Sequence, residues 1–408
     1  MATLPIGSKR WIVALAALTG TTALSIDMSL PAQPTLARIF AVPPETAQLV
    51  LSTFLLGFAF AQLVAGPVSD ALGRRRVLLA GLALFTLAGA ACAETGSIRA
   101  LLACRVLQGI GAAAASVVAR AMVRDTQPPA SAARVLSSMM AVLALAPMIA
   151  PMIGGTVLVH LGWRAIFGTL AMCGVLLAAM AAFGLEETYP PERRTRGRSA
   201  RELVVGYVRF FRTRGTRAPL LLGCLSFAGQ FAYISASPFV LIDGYRVPAG
   251  HYAFYFAATA LMLMIGSMIG GRMLSSGAPP SRMLVIGSST LLAGGALAAI
   301  GTRMPALGVY GLMVPMLVYF VGIGLGGPSA TASTMAPVPE LAGTASAAIG
   351  FSSMIAGALS GWITTAIGRS DPRILGTAVA VMGACASMLV LGARATASRP
   401  AASEEQHG

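Results

Sequence analysis

The sequence predicts an all-α integral membrane protein of twelve transmembrane helices in two six-helix, pseudo-symmetric halves. Three observations carry that expectation. Hydrophobic residues make up 56% of the 408 and charged residues 11%, whereas a soluble globular chain carries roughly 25% charged residues. The apolar residues gather into twelve runs, each near the ~20 residues that cross a bilayer core as a helix. The basic residues fall mainly in alternate intervals between the runs, as the positive-inside rule requires.

In order, the runs are 11–31, 46–68, 77–93, 98–119, 135–159 and 165–185, then 219–241, 252–274, 282–301, 306–327, 342–367 and 374–393. Lys9-Arg10 before the first run looks like the start of a signal peptide. The run is too long for one and lacks a small-x-small cleavage site, so it is read as a retained span. With the N-terminus in the cytoplasm and the runs alternating, 21 of the 29 Lys and Arg lie inside, seven lie outside and Arg105 sits within a run. That asymmetry puts both termini in the cytoplasm. The organisation that follows is 1–185 as the first half, 186–218 as a basic cytoplasmic linker, 219–395 as the second half and 396–408 as a disordered tail. A faint repeat of 66–74 at Gly266-Ser-Met-Ile-Gly270-Gly271-Arg272, without the aspartate, fits a parallel repeat about the membrane normal. Within the linker, 202–212 mixes Leu203, Val204, Tyr207, Val208, Phe210 and Phe211 with arginines. It reads either as a helix lying in the plane of the inner leaflet or as a tether with snorkelling arginines.

Composition also excludes function classes. The net charge of +15 is spread over short loops between apolar runs, which is not the continuous basic face that nucleic acid requires. Five cysteines (Cys92, Cys104, Cys173, Cys224 and Cys385) stand singly in apolar segments, so they read as small buried side chains rather than a metal, redox or disulfide framework. His160, His251 and His407 fall in two outer loops and the tail. No nucleophile–base arrangement, phosphate loop or metal spacing lies in the runs, so the chain reads as a non-enzyme with no cofactor and no metal.

The chemistry concentrates in a few places. Asp27 and Arg105 are the charged residues read as lying well inside spans, each roughly 6–10 Å from the outer end of its helix at 1.5 Å per residue. Charges at that depth are costly and usually face a bundle interior or wet cavity. They read either as a proton-titrating carboxylate with an electrostatic partner or as a structural ion pair. The turn GPVSDALGRRR at 66–76 supplies Gly66 and Gly73 for a sharp bend. Asp70, Arg74, Arg75 and Asp125 would form a charge cluster at the inner mouth, a two-state latch. In the fifth run, Pro147 and Pro151 remove two backbone donors on one face, and Gly154 and Gly155 admit a neighbouring helix. That run serves as a hinge or as packing alone. Gln108, Gln230, Phe231 and Tyr233 are the candidate cavity residues, with Phe227, Tyr319 and Phe320 as aromatic neighbours that either line the cavity or pack.

These motifs resemble a known family. The 66–76 turn is similar to the signature loop of the major facilitator superfamily, and APMIAPMIGG at 146–155 resembles its antiporter motif. LSIDMSLPA at 24–32, RVLQGIG at 105–111, ASVVARAMVRD at 115–125, ETYPPERR at 187–194, SPFVLI at 237–242 and GTASA at 343–347 resemble its Bcr/CflA group of 12-span drug:proton antiporters. The resemblance implies a major facilitator fold in a bacterial inner membrane. It also implies proton-coupled efflux of bicyclomycin-, chloramphenicol- or sulfonamide-like drugs, with Asp27 and Arg105 at the centre. A monomer embedded in lipid would then handle protons and a small-molecule substrate. Ser29 departs from the tyrosine usual there. The alternatives are a proton-coupled exporter or symporter of a metabolite, such as a sugar or amino-acid derivative, and a non-transporting membrane protein.

Overall fold

The computed structural model describes residues 4–190, 192 and 200–397. Part of the arginine-rich linker and the tail from 398 onward lie outside the described residues. The described chain is helical throughout, with no strand. Its helices are α1 (Lys9–Asp27), α2 (Gln33–Ile39), α3 (Pro44–Leu72), α4 (Arg74–Glu94), α5 (Ile98–Thr126), α6 (Pro129–Leu143), α7 (Ala146–Leu161) and α8 (Trp163–Gly184). They continue as α9 (Ala200–Arg212), α10 (Arg214–Pro238), α11 (Ala249–Ser275), α12 (Pro280–Gly301), α13 (Tyr310–Met335), α14 (Ala342–Gly368) and α15 (Pro372–Ala397).

Local chemistry sets several boundaries. The Ser8 hydroxyl accepts from the Trp11 amide at 3.2 Å and caps α1, satisfying one of the free donors of a helix start. Proline opens α3, α6, α12 and α15, where its missing N–H costs nothing. Between α3 and α4 the chain reverses at Gly73 with φ +99°, a conformation that a side chain would oppose.

Among the described residues, eleven helical segments are long and apolar enough to cross a membrane. The expected fifth span at 135–159 is instead divided into α6 and α7. Proline supplies the reason: without amide hydrogens, Pro147 and Pro151 cannot bond the carbonyls of Leu143 and Pro147, and the helix breaks near Leu143. The first span also differs, because after Asp27 the chain passes through a short turn and continues as α2 to Ile39.

Two groups of helices result. In one, α5 packs against α1, α3 and α4, and α8 against α4. In the other, α13 packs against α11 and α12, α15 against α10 and α12, and α14 against α10. The groups meet where α3 crosses α14 and α7 crosses α11. Large apolar side chains such as Phe60, Leu87, Leu176, Phe254 and Met388 point outward and are exposed, which suits a surface bathed in hydrocarbon rather than water. Cys385 is likewise exposed rather than buried, because small apolar residues are equally at home against lipid. Helix α9 docks Phe210 against Val338, Ala345 and Ala348, while Val204, Val205, Val208 and Phe211 remain exposed.

A close backbone approach beside the site lies at Gly154. A β-carbon there would overlap the Met28 backbone, meeting its Cα at 2.8 Å. Gly154→Val is therefore expected to cost roughly 1–3 kcal/mol and to lower the melting temperature of the purified protein. Gly271, with open space around its α-carbon, should accept the same change without effect.

Candidate functional site

A cavity of about 460 Å³ lies between the two groups of helices. Its wall is mostly apolar: Ile26, Phe58, Phe227, Phe231, Ile234, Phe256, Phe320 and Met354 face it, with Thr19, Thr22, Ser116, Gln230 and Ser353 as scattered polar groups. Asp27 and Arg120 are its charged lining residues among those described. Asp27 ends α1 and is 4% exposed. Among the described residues, no hydrogen bond or ion pair reaches its carboxylate.

Arg105 does not meet Asp27. It is fully buried, with Nε donating to the Val50 carbonyl at 3.0 Å, Nη1 to Gln108 Oε1 at 2.7 Å and Nη2 to the Ser25 carbonyl at 3.0 Å. Its guanidinium lies 4.5 Å from the Phe54 ring centroid and 5.7 Å from that of Phe167. Three directed bonds and two aromatic faces suit a planar guanidinium better than an ammonium. Arg105 thereby ties α5 to α1 and α3, and it reaches Asp27 only through the backbone two residues earlier. Gln108 is held in the same knot, away from the cavity.

Among the other predicted cavity residues, Gln230 and Phe231 line it, as do Phe227, stacked on Phe231 at 4.6 Å, and Phe320. Tyr233 stands behind the wall, edge-on to Phe320 at 5.3 Å, with its hydroxyl 3.6 Å from Met313 Sδ. Tyr319 is fully buried as well. Pro147 faces the cavity, and Pro151, Gly154 and Gly155 are buried in α7.

At the end where α3 turns into α4, the basic turn forms a compact cluster. Arg74 bridges Asp70 at 2.5 Å and Asp125 at 2.7 Å, and its Nη1 donates to Ser69 Oγ at 2.5 Å. The backbone amides of Arg74 and Arg75 donate to Glu187 at 2.9 and 3.2 Å, so a carboxylate caps the positive end of α4. The guanidinium of Arg75 donates to the Ala182 carbonyl. Tyr189 lies 4.8 Å from the Arg74 guanidinium. Gly66 lines the vestibule beside this cluster. Every member of the cluster belongs to α3, α4, α5 or the segment around the end of α8, so the cluster does not cross to the second group.

Buried side-chain hydrogen bonds between the two groups lie at the other end. Gln48 Nε2 on α3 donates to Ser235 Oγ on α10 at 3.1 Å, and Ser52 Oγ donates to the Ala358 carbonyl on α14 at 3.0 Å. All three polar side chains are buried. This set joins the two groups on the side where α3 begins, away from the basic turn.

Sequence reasoning missed Arg120, Gln62, Gln48, Ser52 and Ser235. Arg120 was counted with the inner loops because the apolar run was ended at 119, whereas α5 continues to Thr126. Its signal was present: Arg120 lies four residues after Ser116, on the same face of the helix. Gln48, Ser52 and Ser235 carry no motif, and only the packing brings them together. Glu187 was visible as part of a motif, but not as a cap.

Comparison with known proteins agrees with this geometry. Residues 15–361 match the model of the Major Facilitator Superfamily. A relative in Bacillus subtilis, the uncharacterized MFS-type transporter YdgK, is 33% identical over 361 residues, 87% of this chain and 89% of that protein. The bicyclomycin resistance protein homolog of Haemophilus influenzae is 28% identical over 93% of this chain and 94% of its own length. The multidrug resistance protein MdtL of Salmonella paratyphi A is 29% identical over 94% of each. Among solved structures, the partially occluded inward-open xylose transporter XylE of E. coli superposes with a TM-score of 0.73 at 15% identity, covering 94% of this chain and 98% of that one. At these identities the structural likeness speaks to the fold. With eleven helical segments among the described residues long and apolar enough to cross a membrane, a cavity between two helix groups and a family match over most of its length, the chain belongs to the Major Facilitator Superfamily and is a membrane transporter, not an enzyme.

Proposed function

We propose that the chain exports small, partly apolar drugs across the bacterial inner membrane in exchange for protons, with Asp27 as the coupling group. The observation that carries this reading is the Asp27 carboxylate, free of any ion pair among the described residues, in the wall of a mostly apolar cavity. An acid locked to an arginine would exchange its proton only by breaking that pair, whereas one facing a cavity can hand it between substrate and water. The names of the relatives, bicyclomycin resistance and multidrug resistance, support drugs as cargo.

In the proposed cycle, 1–185 and 219–395 rock against each other about the α3–α14 and α7–α11 seams. Both termini lie in the cytoplasm and the protein acts as a monomer. The cross-group bonds of Gln48 and Ser52 close the outer side, and the break around Pro147 gives α7 its flexibility. A proton arriving from outside neutralises Asp27 and releases the drug; inward opening loses that proton and admits the next drug. One proton falling through about 100 mV supplies about 2.3 kcal/mol, and one pH unit adds about 1.4. Together they sustain a gradient of roughly several hundredfold for a neutral substrate.

In inside-out vesicles, chloramphenicol, bicyclomycin or a sulfonamide is expected to evoke proton movement in the wild type. Asp27→Asn should reduce it at least tenfold while leaving the protein folded. Normal coupling in that variant would place the coupling group elsewhere.

The inner cluster is proposed as the latch that holds the ends of α3, α4 and α5 in register. Arg74→Ala would leave two carboxylates beside a shared face without their cation. The expected result is a lower melting temperature, within the roughly 3–5 kcal/mol that bounds the loss of one partner of a buried pair and below that limit because Asp70 is 43% exposed. Transport should fall with it. A variant with unchanged transport and melting temperature would leave the turn a topological marker only.

A further inference from the structure

The central cavity and the cytoplasmic vestibule are separate spaces of about 460 and 250 Å³. Among the described residues, Gln62 on α3 and Arg120 on α5 are the two that line both. They form the neck through which a solute would pass from one space to the other. Resting on the export reading, we infer that this neck is a charge-selecting subsite. Arg120, assisted by Gln62, receives an anionic or strongly accepting group of the substrate, such as a carboxylate, sulfonate or sulfonamide, while the apolar body lies among the phenylalanines beyond.

Four observations support this. First, Arg120 makes no hydrogen bond and no ion pair among the described residues, although it is half-buried against the central cavity. A guanidinium carries five donors, and leaving them unused in such a place is costly unless a ligand or water takes them. Second, the acids of the vestibule are already engaged, Asp70 and Asp125 both binding Arg74 at 2.5 and 2.7 Å, and Asp27, which shares the cavity wall, makes no ion pair with Arg120 among the described residues. Third, the neighbouring charge on the same helix is Arg124, one turn on and facing the same vestibule. It reinforces a positive entrance rather than neutralising it. Fourth, Gln62 is buried with its side-chain amide against Gly350 of α14, and the N–H groups of that amide are donors suited to an accepting group. The neck is thus built from both groups of helices, so what binds there touches the seam that must move.

The chemistry that follows is selective. A cationic drug would pass Arg124 and Arg120 at close quarters before reaching Asp27, and like-charge juxtaposition in a narrow, partly dehydrated passage rejects it. A neutral compound with a strong acceptor passes, and a weak organic acid is drawn in.

The test uses the full chain and three probes sharing one ring system: naphthalene-2-sulfonate, 2-naphthol and 2-naphthylmethylamine as its ammonium form. Export into inside-out vesicles and the melting-temperature shift of the purified protein are read in parallel. The wild type is expected to favour the sulfonate over the ammonium at least tenfold in both readouts. Arg120→Gln, which removes no native bond, should reduce that preference tenfold or more. Gln62→Glu should do the same by placing a negative charge in the neck. Arg282→Gln, which removes a charge from an exposed site outside both spaces, should keep it.

A wild type that handles sulfonate and ammonium alike, or an Arg120→Gln protein that keeps the preference, overturns the inference. If no probe is exported but the sulfonate still raises the melting temperature through Arg120, the export reading fails and the subsite stands. Asp27-dependent drug export with no charge preference would do the reverse.

Discussion

Most of the site follows from the cost of keeping a carboxylate at membrane depth without a partner. Asp27 ends α1 against a wall of phenylalanine, isoleucine and methionine, and no cation among the described residues locks it. Such a group persists only if its surroundings are rigid enough not to collapse around it or supply a pairing. Arg105 provides that rigidity without touching it. By bonding the carbonyls of Ser25 and Val50 and the amide of Gln108, it fixes α1 beside α3 and α5 just where α1 ends. Gly154 presses α7 onto Met28, the next residue after Asp27. The carboxylate is held in place by backbone contacts on both sides, and its own oxygens remain available.

The two ends of the molecule differ in kind. On the side where α3 begins, neutral hydrogen bonds from Gln48 and Ser52 join the two helix groups. On the side of the basic turn, the strong interactions are ionic and confined to one group, with α9 lying across to α3 through Tyr207, whose hydroxyl donates to the Leu63 carbonyl at 2.8 Å. Neutral hydrogen bonds are worth about 1 kcal/mol each, so a few of them can form and break within a transport cycle. An ionic cluster within one group keeps that group intact while it moves. Under the proposed cycle, a weak seal across the seam and a strong brace beside it are what alternating access needs.

How far the sequence revealed this depends on the physical signal. The all-helical membrane architecture and eleven of the twelve expected spans came from hydropathy, because hydrocarbon punishes exposed backbone and charge severely. The division of the fifth span into α6 and α7 was legible as a kink from Pro147 and Pro151, though not as a break. Asp27 was visible from its depth alone. The pairing assumed for Arg105 failed because a single residue number gives depth but not direction; two backbone carbonyls on neighbouring helices and the Gln108 amide on its own helix captured the guanidinium instead. Tyr233 was set behind the wall by a difference of helix face that short-range spacing did not resolve. Arg120 was lost because the apolar run stops at 119 while α5 continues to Thr126, and the Gln48–Ser235 contact joins residues 187 apart, which no local pattern encodes.

The most direct test of the central claim is substrate affinity measured against pH on the purified protein, away from any gradient. If proton and drug compete at Asp27, affinity should fall as pH is lowered, approaching tenfold per unit once the carboxyl is protonated, and Asp27→Asn should bind with little pH dependence. An identical pH dependence in Asp27→Asn would contradict the account, because the proton that opposes the drug would then sit on another group.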